Sequence, residues 1–259
     1  MAARKQNIQF IVWAYALFWV MIIIALGIMS VKPELSAIVF PIVQVIGSWT
    51  PTIALIVLFK KLYPESTLKT FRKNAFTKRL NHTMLLVVTL AYVLITFCMV
   101  GYGAFAQGVS FVSLLNISFT GFIVTLFSGA LGEEAGWRWH LQQSVEKKNS
   151  VLKSCLIVGI IWAFWHMPTW INYITAGLVY FIPLDILSKL SIAFVIGICY
   201  HRCRNLFVPI WIHFVTNILV NWTQAVLIDY FAGYIMLQVF LAIGFIVWHI
   251  KKSKQIVAE

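Results

Sequence analysis

Apolar residues in this chain come in long unbroken runs, and polar residues fall between them. Eight runs of roughly 20 residues, the length a helix needs to cross a bilayer, lie near 8–29, 36–59, 83–106, 111–134, 151–172, 178–200, 206–225 and 230–250. The runs are continuous rather than alternating, so they predict helices and not the strands of a membrane barrel. The expected fold is all-α: a polytopic membrane helix bundle of about eight transmembrane helices, forming a single membrane domain over 1–259. The first run is too long for a signal-peptide core and no small-residue cleavage site follows it, so it is expected to remain a helix.

Composition agrees with this picture: 61% of residues are hydrophobic and the mean hydropathy is +0.88, against about 45–50% apolar residues in soluble domains. A net charge of +12 would suggest nucleic acid in a soluble protein. Here its placement reads as topology instead. Arg4 and Lys5 precede the first run, and the loop 60–82 carries Lys60, Lys61, Lys69, Arg72, Lys73, Lys78 and Arg79. Arg138, Lys147, Lys148 and Lys153 follow the fourth run, Arg202 and Arg204 the sixth, and Lys251, Lys252 and Lys254 the eighth. With eight spans all of these share one face, and Lys and Arg in short loops mark the cytoplasmic side. Both termini are therefore expected in the cytoplasm, in a multi-pass protein of the cell (cytoplasmic) membrane. The surroundings are membrane lipid, not nucleic acid, and the basic loop 60–82 is expected on anionic headgroups. The sequence carries no signal of oligomeric state. Cys98, Cys155, Cys199 and Cys203 lie in or beside spans and form no disulfide framework. The stretch Cys199-Tyr200-His201-Arg202-Cys203 spaces its ligands poorly for one helical face and is not read as a metal clip.

Three polar clusters interrupt the apolar runs. The first is Glu133-Glu134-Ala135-Gly136-Trp137-Arg138, two adjacent carboxylates out of only eight acidic residues in the chain. A charge inside a membrane costs about 2.5–3.5 kcal/mol on insertion scales, so it needs a partner or a task. Glu134 and Arg138 are one helical turn apart and can pair. Glu133 is then rotated about 100° away and is free to act as a base. The second cluster, Trp162-Ala163-Phe164-Trp165-His166-Met167-Pro168, puts a histidine deep in an apolar helix just before a helix-breaking proline, with Trp162 one turn earlier. The third puts His213 and Asn217 one turn apart on one face, suited to an oxyanion or to a metal. Each cluster alone is compatible with interhelical packing. Together, a carboxylate base, two histidines and an asparagine on three spans supply what water activation requires.

Glu-Glu-x-x-x-Arg, a histidine with an aromatic one turn before it, and His-x-x-x-Asn, in this order, resemble the CAAX-processing and bacteriocin-processing (CPBP, or Abi) intramembrane proteases. The resemblance covers about 110–220, and the texts Glu-Glu-Ala-Gly-Trp-Arg and Trp-Ala-Phe-Trp-His-Met-Pro are similar to bacterial members. It implies an eight-helix endopeptidase whose site opens towards the cytoplasmic side. By motif position, Glu133 and His166 would activate the attacking water, His213 and Asn217 would hold the oxyanion, and Glu134, Arg138 and Trp162 would support them. The implied substrate is a membrane-associated peptide, such as a bacteriocin-like precursor, a peptide pheromone or a lipidated CAAX-type tail, with bacteriocin self-immunity as a setting. Zinc held by Glu133, His166 and His213 and a metal-free, glutamate-dependent mechanism both stay open. Trp162 stands where prenyl-processing members usually have Phe, and Trp139 where Gly is common; Trp139 is expected to alter packing or lipid contact near the site.

Two other readings remain: a non-catalytic membrane scaffold or immunity protein, and a small-solute transporter using Asp185 and Lys189, one turn apart in the sixth run, as a proton relay. Depth poses one problem, since His166 would lie about 20 Å from the basic face at 1.5 Å per residue and Glu133 shallower. A fourth helix running from about 118 to about 142 would bring them level.

Overall fold

The computed structural model describes residues 2–227 and 229–258, and among them every regular element is a helix. The order is α1 (Ala2–Val31), a 3-10 turn (Pro33–Leu35), α2 (Ser36–Ser48), α3 (Thr50–Val57), α4 (Phe59–Leu62), α5 (Leu68–Phe76), α6 (His82–Gln107), α7 (Phe119–Phe127) and α8 (Ala130–Glu134). A π-helix (Ala135–Gln142) leads into α9 (Gln143–Glu146), followed by α10 (Val151–Trp165), a 3-10 turn (Met167–Trp170), α11 (Ile171–Thr175), α12 (Phe181–Cys203), α13 (Phe207–Leu227) and α14 (Phe231–Ala258). Side chains set several of the starts: Thr67, Asn81, Ser118 and Ser150 accept the free amide hydrogens of α5, α6, α7 and α10, as caps do.

Four helices, α1, α6, α12 and α14, are each long and apolar enough to cross a membrane. Two bent pairs raise the number to six: the stretch Pro33–Ser48 with α3, bent by 46°, and α10 with Met167–Thr175, bent by 51°. The apolar part of α13, Phe207–Thr223, is shorter. The fourth expected run is broken at Ser128-Gly129, and helix resumes from α8 to the end of α9. The fourth helical run therefore starts at 119 and passes 142, close to the limits that the depth of His166 requires.

Hydrocarbon surrounds such a bundle, so apolar side chains cover its outside as well as its core. Ile23, Leu94, Phe105 and Phe240 are among those exposed, while α12 is buried among α10, α13 and α14. The basic ends gather on one face. Gln6 donates to the Lys61 carbonyl, Ser144 to Asn7, and Asn205 to the carbonyls of Phe76 and Lys78. Arg204 and His201 meet Glu146, and Arg202 lies over the Trp248 ring. On the opposite face lie the turn at Lys32, the Gly108 turn and the Phe181–Phe231 contact. In the basic loop, α5 lays Phe71 against Trp139, with ring centroids 4.1 Å apart. Trp139 thus packs on the basic face, against Phe71 and Tyr63, and not at the candidate site. His201 bonds Glu146 at 3.1 Å rather than joining Cys199 and Cys203.

Candidate active site

The site forms where the fourth helical run breaks. Gly129 adopts φ +69°, a left-handed conformation that a side chain rarely accepts. The helix then restarts with Glu133 and Glu134 in its first turns. Gly132 and Gly136 let this segment touch the α2–α3 junction: a Cβ on them would fall 2.6 Å from the Ser48 carbonyl oxygen and 2.6 Å from the Pro51 side chain. The π-helix that follows is a wide turn of the kind found most often at functional sites. It carries Trp137 and Arg138, both fully buried.

The two carboxylates part as their adjacency suggests. Glu134 Oε2 faces Arg138 Nε at 3.3 Å, and its Oε1 lies 2.7 Å from His213 Nδ1. Glu133 turns the other way, where Oε2 accepts the Trp162 indole N–H at 2.5 Å. His213 must donate from Nδ1, because its partner is a carboxylate, and this leaves Nε2 directed elsewhere. His166 Nδ1 lies 2.9 Å from the Trp162 carbonyl oxygen and likewise donates, which leaves its Nε2 a free acceptor when the ring is neutral. Trp162 therefore touches the site twice, through its indole and its carbonyl. Its ring also lies edge-on to both histidines, at 5.5 Å from His166 and 5.2 Å from His213.

The position a Cβ would take on Gly129 marks the point of convergence. Asn217 Nδ2 is 2.7 Å from it, His213 Nε2 3.4 Å and Glu133 Oε1 3.7 Å. From there a cavity of about 310 Å³ opens, lined by Glu133, His166, Asn217, Ser128 and Gly129, with apolar walls from α1 and α2. Cross-links hold its α10 wall in place: Tyr15 and Trp19 on α1 donate to the Ile161 and Trp165 carbonyls, and Trp165 donates to the Ala14 carbonyl. Beyond His166, Trp170 donates to Asp185 at 2.9 Å, and Asp185 is paired with Lys189 at 2.5 Å. The pair is thus a closed clasp on the turn after His166.

Glu133, His166, His213 and Asn217 all reach this region, and Glu134, Arg138 and Trp162 pack directly behind it. The expected opening differs: the cavity runs towards Met29 and Phe40, away from the basic face. As a zinc site the donor set does not fit. Glu133 and His213 approach one point, but no group of three His, Cys, Asp or Glu side chains among the described residues is placed to hold a metal ion. The third atom there is an amide nitrogen, which is no metal ligand, and Trp162 occupies the second oxygen of Glu133. We derive no step through a metal. Gly129 escaped the sequence reading; the signal was a Ser-Gly pair inside an apolar run, which marks a break. The Asp185–Trp170 clasp had no sequence signal, since it joins two elements 15 residues apart.

Comparison with known proteins falls on this same stretch. Residues 115–219 match the protein-family model for type II CAAX prenyl endopeptidases, Rce1-like. The resemblance to CAAX-processing membrane proteases holds on this Rce1-like core. The matched stretch begins before α7 and contains Glu133, Glu134, Arg138, Trp162, His166, His213 and Asn217. A CAAX prenyl protease 2 of Methanococcus maripaludis is 33% identical over 64 residues, which is 25% of this chain and 22% of the relative. The chain thus aligns with about a fifth of that relative's length.

Proposed function

We propose that the chain is an intramembrane endopeptidase that hydrolyses a peptide bond in a membrane-associated peptide by metal-free water activation. The convergence of Glu133 Oε1, His213 Nε2 and Asn217 Nδ2 beside Gly129, at the head of the cavity, carries this reading. A water held by Glu133 Oε1 and His166 Nε2 attacks the scissile carbonyl carbon. Glu133 takes a proton from the water as the new C–O bond forms, and the carbonyl electron pair moves onto oxygen. Asn217 Nδ2–H donates to that oxygen. When His213 carries protons on both nitrogens, its Nε2–H donates as well, with Glu134 balancing the charge. The C–N bond then breaks, and Glu133 returns the proton to the leaving amine. The products are a carboxyl end and a free amine, with one water consumed. A positioned acid–base group is worth about 10²–10⁴ in rate, and one oxyanion donor about 10²–10³.

The apolar walls of Phe18, Ile22, Leu26 and Phe40 suit a hydrophobic or lipidated peptide. The name of the archaeal relative favours a CAAX-type tail. A bacteriocin-like precursor or peptide pheromone fits the same walls, and with it a role in self-immunity. The protein would work as a multi-pass component of the cytoplasmic membrane. The test is mass spectrometry of peptides incubated with the purified protein in lipid vesicles, using prenylated tails and unmodified precursors. A product made by the wild type and lost in Glu133→Gln supports the reading. A product that survives in Glu133→Gln overturns it. A wild type that cleaves nothing, beside a Glu133→Gln variant of much lower melting temperature, overturns it in favour of a packing role for the carboxylate.

A further inference from the structure

We infer that the catalytic cavity receives its peptide from the leaflet opposite the basic face, which the positive-inside rule makes the extracytoplasmic one. What enters rests on the endopeptidase reading above, but where the opening lies does not.

Three observations carry the inference. First, the basic ends of the chain are tied together on one face by the contacts of Glu146, Asn205 and Gln6. Second, the site is closed towards that face. Trp137, Arg138 and Leu141 are at most 1% exposed, and they fill the space between the Glu133–Glu134 turn and the Glu146 end. Phe10 packs against Trp137 and His140 from the α1 side. Third, the cavity is built from the other ends of its helices. From α1 it takes residues 18 to 29, stopping short of Lys32, and from α2 it takes Phe40 to Ser48. Past His166 it continues to Ile171 and Asn172 on α11, beyond the bend in the fifth run.

The walls also say what chemistry the opening admits. Among the described residues, Glu133 is the one Asp, Glu, Lys or Arg that lines the cavity. Gln44 and Asn172 stand at its outer end, both exposed, and neither side chain makes a hydrogen bond among the described residues. Each amide offers a donor and an acceptor, the pair that an extended peptide backbone also presents. An uncharged stretch of peptide, entering from the outer leaflet, meets these amides first and Glu133 last.

The test reads sidedness without turnover. Met29→Cys and Asn172→Cys are placed singly in the full chain, in cells, beside Lys73→Cys on the basic face. A membrane-impermeant maleimide is applied to intact cells and to inverted vesicles, with the wild-type chain subtracting the label on its native cysteines. The expected result is label on both mouth positions in intact cells, at a ratio to permeabilised cells near unity. Lys73→Cys is labelled in inverted vesicles only, which also shows that the chain is inserted and folded. Mouth cysteines that react in inverted vesicles and not in intact cells overturn the inference. So does a failure to react from either side while Lys73→Cys reacts. Failure of the peptidase reading looks different, since it is the absence of Glu133-dependent product with the labelling pattern intact.

Discussion

Two clusters in this molecule are made of the same three side chains and behave as opposites. At the site, Glu134 holds His213 Nδ1 at 2.7 Å and Arg138 Nε at 3.3 Å. At the basic face, Glu146 holds His201 Nδ1 at 3.1 Å and also pairs with Arg204. The first set is buried throughout, with side chains at most 4% exposed, whereas His201 and Arg204 are about a third exposed. Near water, an ion pair contributes about 0–1 kcal/mol. In the buried set no water takes up a lost charge, and breaking one partner costs about 3–5 kcal/mol. The terminal nitrogens of Arg138 have no hydrogen-bond acceptor among the described residues, so Glu134 is the carboxylate set against its charge. The same triad is a staple in one place and a precondition for a folded site in the other.

The largest expected effect separates Glu133 from its neighbour. Glu133→Gln should lower peptide cleavage by about 10²–10⁴ while leaving the melting temperature close to wild type, as read by parallel activity and thermal-denaturation measurements. Glu134→Gln should cost about 3–5 kcal/mol of stability and lose activity with the fold, so a variant that melts like wild type would break the contrast. Gly129→Ala is intermediate. Its Cβ would sit 2.7 Å from Asn217 Nδ2 at φ +69°, a conformation costing an L residue about 1–2 kcal/mol, and kcat should fall more than KM rises.

The smallest effect belongs to the basic face. Burial alone would raise the proton affinity of the Glu146 carboxyl, but hydrogen bonds from His201 and Gln142 and the charge of Arg204 hold its pKa below the ordinary value. Its contribution is therefore present above the usual carboxyl range and lost as pH falls through the lowered value. Glu146→Gln should remove about 1 kcal/mol or less at neutral pH and flatten the acid limb of a melting-temperature profile. A loss as large as that of Glu134→Gln would erase the comparison.

Much of this was legible in the amino acids themselves. The opposite facing of Glu133 and Glu134 follows from adjacency on a helix, and the grouping of His213 with Asn217 from a four-residue spacing. The depth of His166 forced the fourth helical run to start near 118 and pass 142, and it does. The break at Ser128-Gly129 was not extracted, although the Ser-Gly pair was in plain view. The π-helix has no propensity signature, because it arises where Gly132 and Gly136 are pressed against Ser48 and Pro51. The direction of the cavity was misread for a related reason. End charges order the helices but say nothing about which half of the bundle is filled, and Trp137 and Leu141 fill the basic half. Trp139 was assigned to the site by sequence proximity, whereas its ring points to α5.

The π-helix of residues 135–142 has a consequence for how this chain tolerates change. A wide turn holds one residue more than an α-helical turn would need, and that surplus sets the angular phase between the carboxylates before it and the basic loop after it. Deleting any one residue between 139 and 142 would let the segment relax to α-helix and swing everything beyond it by about 100° relative to Glu133, without touching a motif residue. Chain length in this stretch is therefore as much a part of the catalytic signature as the letters it contains.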